Sequence, residues 1–166
     1  MTILSRPPNI SDGDFRLYNY AYRLLDYSNK PNRDDSCLFN CSTTPNISIL
    51  DFLIRLIKYI KPDYLTFILS FIYLDRISYN INLTYLNIHR FYLISLITAV
   101  KYNDDFYFDN LFYAKCGGLS LTEFNKLEIH FLIEINWILY SSVNDFKKHH
   151  TKCVFLYYIL NKLCKI

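Results

Sequence analysis

The spacing of hydrophobic and polar positions divides the chain into a polar entry and a compact remainder. Residues 1–13 are polar, carry Pro7-Pro8 and offer little to bury. From Asp14 to about Tyr27, Phe15, Tyr18, Tyr22 and Leu25 recur at helical spacing, which predicts a short amphipathic helix. Residues 28–46 collect Asn, Pro, Asp and Ser and read as a linker or long loop. The compact part starts near Ile47. Ser48 is placed to cap a first helix of this part that runs to about Ile60. Pro62 stops that helix and suits the first position of the next, over Pro62–Ile77. This second helix is apolar nearly all round, from Tyr64 and Leu65 through Phe67, Ile68, Leu69, Phe71, Ile72 and Leu74. Asn80 and Asn82 break the chain, and Asn87 can cap a third helix from Ile88 to about Tyr102. With Phe91, Leu93, Ile94, Leu96, Ile97, Ala99 and Val100 on almost every face, the third helix must sit at the centre of a bundle. A short fourth helix, Asp109–Lys115, ends at Gly117-Gly118, where a left-handed cap is available. Ser120 and Glu123 have capping-box spacing and open a fifth helix to about Leu139. A sixth runs over Asn144–Leu163 with a Lys/His-rich start. No strand pattern competes and no internal repeat is visible, so the fold class is all-α, a helical bundle.

Composition narrows the chemistry. The chain has 166 residues, 52% hydrophobic and 20% charged, enough for one domain with a sizeable core. A net charge of +3 is too weak to imply a polyanion partner. The three glycines stand at positions 13, 117 and 118. They cannot supply a phosphate-binding G-x-x-x-x-G-K-[ST] loop, a dinucleotide G-x-G-x-x-G turn or a G-x-S-x-G nucleophile elbow. Met1–Pro8 contains no signal-peptide run. The longest apolar stretches are interrupted by Ser70, Ser95 and Thr98 and reach about half of the roughly 20 residues a membrane span needs. The expected setting is intracellular, nucleus or cytoplasm, with no membrane partner and the five cysteines reduced. Cys37 and Cys41 with His149 and His150 fit no common zinc spacing, so no metal and no cofactor are expected.

Five strings then stand in order. They are Tyr73-Leu74-Asp75-Arg76-Ile77, Leu86-Asn87-Ile88-His89-Arg90, Ala99-Val100-Lys101-Tyr102-Asn103-Asp104-Asp105, Tyr113-Ala114-Lys115-Cys116-Gly117-Gly118-Leu119-Ser120 and Glu123-Phe124-Asn125-Lys126-Leu127-Glu128. Together with Pro45–Ile49 and Phe52–Leu56 upstream, they resemble the cyclin box, and within cyclins the P-type, phosphate-regulation branch. The resemblance implies three divisions: an extension over 1–44, a five-helix cyclin box over 45–142 whose central helix is the third, and a C-terminal helix over 143–166. It also implies a regulatory subunit that binds and activates a cyclin-dependent Ser/Thr kinase by packing on its αC helix, with no catalytic residue and no small-molecule substrate of its own. By motif position Lys101 and Glu128 match the cyclin Lys/Glu pair that hydrogen-bonds the kinase, and Tyr102, Leu132 and Trp137 fall where cyclins place apolar contacts. Asp75 matches the aspartate of an internal salt bridge to a first-helix arginine, for which Arg55 is the candidate.

The departures from the family are as informative. The Met-Arg-Ala-Ile-Leu-like docking string is absent, since the first helix reads Ser48-Ile49-Leu50-Asp51-Phe52-Leu53. Too few residues follow the box for a second cyclin fold. Plainer readings stand beside the functional ones. A lysine ending a helix ordinarily complements the macrodipole, and Glu128 alone reads as a solvated helix residue. Trp137 is either a core residue or a contact. Asp104-Asp105 read as a helix end before any metal or acid/base pair, and His89 as a structural hydrogen bond before a catalytic base. The run Lys147-Lys148-His149-His150-Thr151-Lys152 reads as a solvated helix face rather than a nucleic-acid contact. The rival to the kinase reading is a cyclin-fold transcription factor or adaptor without a kinase.

Overall fold

The computed structural model describes residues 37–164, of residues 152 and 155 the backbone alone. Six α-helices and no strand occur among them: α1 (Ile49–Ile60), α2 (Tyr64–Asn80), α3 (Ile88–Asn103), α4 (Asn110–Gly117), α5 (Leu121–Glu134) and α6 (Val143–Leu163). The fold is all-α, as the periodicity predicts. The amphipathic helix expected over Asp14–Tyr27 lies outside the described residues.

α3 is the axis. Every residue from Phe91 to Val100 is buried, and the helix packs on α2, α5, α1 and α4. α6 closes the far side against α2 and α1. A helix apolar on all faces has no solvent side to choose, and only a central position buries it completely. α2 is nearly as enclosed, with Thr66–Leu74 all buried. Some of the polar atoms inside bond to backbone, whereas the Thr98 hydroxyl on α3 finds no partner among the described residues. Ser95 donates to the Ser70 carbonyl at 2.5 Å, and Ser70 to the Phe67 carbonyl at 2.7 Å. Outside the helices, Phe39 stacks on Phe91 with ring centroids 3.8 Å apart and ties the entering chain to α3.

The helix ends follow local chemistry, with four corrections to the sequence reading. Ser48 caps α1 by accepting from the Asp51 N–H at 3.0 Å. α2 begins at Tyr64 rather than Pro62. Lys61 turns left-handed to end α1, and Asp63 then caps α2 by accepting from the Thr66 N–H at 2.7 Å. Asn87 stands before α3 without capping it by its side chain. Its amide instead staples the preceding loop, accepting from the Thr84 N–H at 2.8 Å and donating to the Asn82 carbonyl at 3.0 Å. Ser120 caps α5 through the Glu123 N–H at 3.1 Å, but the Glu123 carboxylate does not close the box, because Arg90 of α3 binds it. α5 ends at Glu134, five residues short of Leu139. There Asn136 and Trp137 both turn left-handed, at φ 52 and 57. The Trp137 N–H bonds the Leu132 carbonyl at 2.8 Å and the Asn136 N–H bonds the Ile133 carbonyl at 2.9 Å. These two bonds form a Schellman stop that outweighs the continuing apolar pattern.

Candidate functional site

α3 ends in solvent at the side where α4 and α5 meet, and there the sequence-predicted pair comes together. The Lys101 Nζ lies 2.5 Å from Glu128 Oε1, a direct ion pair between the last turn of α3 and the middle of α5. The Lys101 ammonium also donates to Asn110 Oδ1 at 2.5 Å. Asn110 opens α4 and completes a triangle by donating through Nδ2 to Glu128 Oε2 at 3.0 Å and to Asn125 Oδ1 at 2.8 Å. Side-chain exposures of 25% for Lys101 and 15% for Glu128 leave the pair at the surface but not loose in it. No sequence pattern marks Asn110, because a lone asparagine at a helix start is too common to single out.

Large apolar side chains are exposed on the segments that bear this triangle and on those that follow them. Tyr102 is 49% exposed, Trp137 63% and Phe106 92%. Ile129 and Ile133, one turn apart on α5, are also exposed. That i, i+4 apolar step beside Glu128 is visible in the sequence. Leu132 differs from its neighbours, since its side chain is half-buried and packs against the core. Trp137 is not core: its ring stands in solvent, on a backbone conformation that bulky residues rarely adopt.

α2 holds the Trp137 segment from beneath. Arg76 donates to the carbonyls of Ile138 at 2.7 Å and Tyr140 at 2.8 Å. The Tyr73 hydroxyl donates to the Leu139 carbonyl at 2.8 Å. Burial pushes the Tyr73 phenol well above its ordinary pKa; the neighbouring Tyr102 adds to the rise and Arg76 opposes it. Tyr102 and the Trp137 turn therefore flank the same buried tyrosine.

The structure does not bring Arg55 and Asp75 together. Arg55 lies on the α1 face turned to α4 and donates to the Lys115 carbonyl at 3.3 Å. Asp75 lies on the α2 face covered by α6, where Lys148 pairs with it at 3.1 Å and His149 approaches at 3.4 Å. The expected salt bridge fails because α6 supplies the partner first. For the same reason the Lys/His run is only partly a solvated face. Lys147 is exposed, but His149 is buried, with Nδ1 2.9 Å from the Asp145 carbonyl. Asp104 ends α3 and accepts from the Thr66 hydroxyl at 2.5 Å, a structural role. His89 is buried with Nε2 2.9 Å from the Ile47 carbonyl. Among the described residues, no helix is long and apolar enough to cross a membrane.

The sequence model of the Cyclin family matches residues 12–139. The chain is 35% identical over 125 residues to Cyclin-P3-1 of Oryza sativa subsp. japonica, covering 74% of this chain and 52% of the relative. It is 33% identical over 115 residues to Cyclin-U4-1 of Arabidopsis thaliana, covering 68% and 57%. It is 34% identical over 116 residues to the PHO85 cyclin-like protein psl1 of Schizosaccharomyces pombe, covering 68% and 48%. The chain thus spans about half the length of the curated relatives it matches.

Proposed function

Because the chain belongs to the cyclin family, in its P-type branch, we propose that it is the regulatory subunit of a cyclin-dependent Ser/Thr kinase, acting in the nucleus or cytoplasm. The box over 45–142 is the binding unit, and Lys101, Tyr102, Glu128, Leu132 and Trp137 form its kinase-binding face. The observation that supports this reading is the Lys101–Asn110–Glu128 triangle, with the exposed apolar side chains of Tyr102 and Ile129 next in the chain to two of its members. A polar centre able to bond a partner's helix end, with large apolar groups beside it, is the anatomy of a protein–protein hot spot. The chain holds the kinase αC helix inward, so that the αC glutamate pairs with the ATP-positioning lysine, on which phosphoryl transfer depends. It performs no chemistry itself. Binding shifts the kinase toward its active conformation by the difference in affinity for the two states. A contact of standard size, roughly 20 to 30 residues a side, suffices.

The test is an affinity capture from the source organism's lysate, read by mass spectrometry and a kinase assay. The baits are wild type, Lys101→Ala, Glu128→Ala, their double variant and Trp137→Ala. Each single substitution in the pair should cost about 2 to 5 kcal/mol of kinase affinity, and the double should cost less than the sum. Trp137→Ala removes a ring that is mostly exposed, and an unchanged thermal midpoint separates its loss of binding from unfolding. A kinase captured equally by every bait refutes the face. No kinase on any bait refutes the function and favours the transcription-factor or adaptor reading.

A further inference from the structure

A second surface lies between α1 and α4, on residues that take no part in the Lys101–Glu128 face. The two helices leave an open groove of about 510 Å³. Its floor is apolar, formed by Ile54 of α1 with Phe112 and the buried Cys116 of α4, and Tyr59 walls one side with its ring more than half exposed. Its rim is cationic. Arg55, Lys58 and Lys115 border it against a single carboxylate, Asp51, a local balance of +2 within a chain of +3.

Among the described residues those charges are not neutralised. Arg55 spends one donor on the Lys115 carbonyl, which fixes its guanidinium at the groove edge. Asp51 accepts the Ser48 hydroxyl at 2.6 Å at the start of α1. Among the described residues, none of the three cations forms an ion pair with a carboxylate. Arg76, Arg90, Lys101 and Lys148 each have an acidic partner; Lys61, Lys126 and Lys147 have none among the described residues, and none of those three lines the groove. Three like charges around an apolar floor repel one another, and an incoming anion relieves that repulsion while its apolar neighbour covers the floor.

We propose that the α1/α4 groove docks an acidic peptide segment of a partner protein, an aliphatic or aromatic side chain seated on Ile54 and Phe112 and flanking carboxylates bound by Arg55, Lys58 and Lys115. Clustered cations at a groove are a recurring means of reading acidic motifs, and the apolar anchor adds affinity that charge alone lacks in salt. The segment approaches α1 from its α4 side and uses none of the family's docking string, which the chain lacks. The proposal is independent of the kinase reading, because its binding is measured on the chain alone.

The test titrates the purified full chain against a short fluorescein-labelled peptide with a Leu-Phe centre flanked by glutamates, beside its lysine-flanked counterpart. Fluorescence anisotropy should report binding of the acidic peptide only, weakening steeply with added salt. Lys58→Glu/Lys115→Glu should weaken it at least about tenfold, with an unchanged thermal midpoint because both side chains are exposed. Tyr59→Ser should weaken it without changing its salt dependence. Equal binding of the two peptides, or unchanged affinity in the charge variant, overturns the proposal. So does a rise in affinity of about tenfold or more on Tyr22→Ser/Leu25→Ser in the full chain, which would assign the groove to the chain's own N-terminal segment. A dimer that dissociates on Lys58→Glu/Lys115→Glu would assign it to a second copy and equally overturn it.

Discussion

Gly117→Ala tests how closely α4 is held against the central helix, and its magnitude can be worked from two distances. Gly117 is the last residue of α4, and Gly118 behind it takes the left-handed cap at φ 72. The demand at 118 is conformational; at 117 it is steric. A Cβ built on Gly117 would stand 2.1 Å from Leu93 Cδ2 and 3.3 Å from its Cδ1 and Cγ. Carbon atoms make contact at about 3.5 Å, so the Leu93 side chain must swing away. Leu93 is 1% exposed, and the one open direction beside it is a cavity of about 180 Å³ that it lines with Gly117 and Gly118 among the described residues, so moving there exchanges core contacts for empty space. Overpacking of this kind costs about 1 to 3 kcal/mol. Alanine returns less than about 1 kcal/mol through helix propensity, and less still in a final turn. The net expectation is a loss of about 1 to 2 kcal/mol. Leu93→Ala alone should cost about 2 to 5 kcal/mol, but it also removes every atom found nearest the new Cβ. In that background Gly117→Ala should be neutral or slightly stabilising, so its sign changes. Urea unfolding of the four proteins, followed by circular dichroism, gives the coupling energy directly. If Gly117→Ala has the same effect in both backgrounds, the close approach of α4 to Leu93 is not what reserves this position for glycine.

Two further perturbations probe the start of α3 and the support of the Trp137 turn. Burial pushes the His89 imidazole below its ordinary pKa of 6.5, against the smaller opposing pull of the Ile47 and Ser48 backbone, and Nδ1 has no hydrogen-bond partner. Below pH 6.5 the unfolded chain takes up a proton at His89 that the folded chain resists. His89 therefore contributes stability that is full above that value and is lost as pH falls toward the depressed folded pKa, at no more than about 1.4 kcal/mol per pH unit. Urea midpoints measured from pH 7.5 downward should fall more steeply for wild type than for His89→Gln, and parallel curves would contradict this. Arg76→Met removes two charge-assisted bonds to the carbonyls of Ile138 and Tyr140 and should cost about 1 to 3 kcal/mol, with faster amide exchange across 137–141. Arg76→Lys should restore little of this, because an ammonium lacks the fork that spans both carbonyls; full recovery with lysine would show that charge alone holds the turn.

How much of this was legible in the sequence depended on whether the deciding interaction was local. The central place of α3 followed from its own residues, because a run apolar on every face has one solution. The caps at Ser48 and Gly118 followed likewise from residue type and position. The end of α5 did not, although Asn136 is the kind of residue that turns left-handed. Ile135, Ile138 and Leu139 prolong the apolar spacing, and the periodicity concealed the stop. Side-chain partners across helices were the least legible. Lys101 and Glu128 came from motif position, and no spacing rule joins residues 101 and 128. Arg55 and Asp75 came from the same kind of matching and fail, because the path of α6 decides who reaches Asp75. The family pattern carries backbone placement further than it carries salt bridges, which depend on what each chain adds outside the box.

The Lys101–Glu128 pair is already formed in the unpartnered chain, and this bears on what a kinase would gain from it. An ammonium has three N–H donors. Lys101 commits one to Asn110 and one to Glu128, and each Glu128 oxygen accepts one bond within the triangle. One Nζ–H and several carboxylate lone pairs stay open at the surface. A partner can therefore bond to both residues without breaking the bond between them. Ordering a long charged side chain on docking costs about 0.5 to 1.5 kcal/mol, and here folding has already ordered both. The triangle thus acts as one preorganised acceptor–donor unit rather than as two side chains that each wait for a partner. Truncating either residue damages the unit twice, by deleting its own contact and by freeing the other two members. That is the reason the double variant, and not the sum of the singles, measures what the unit contributes to binding.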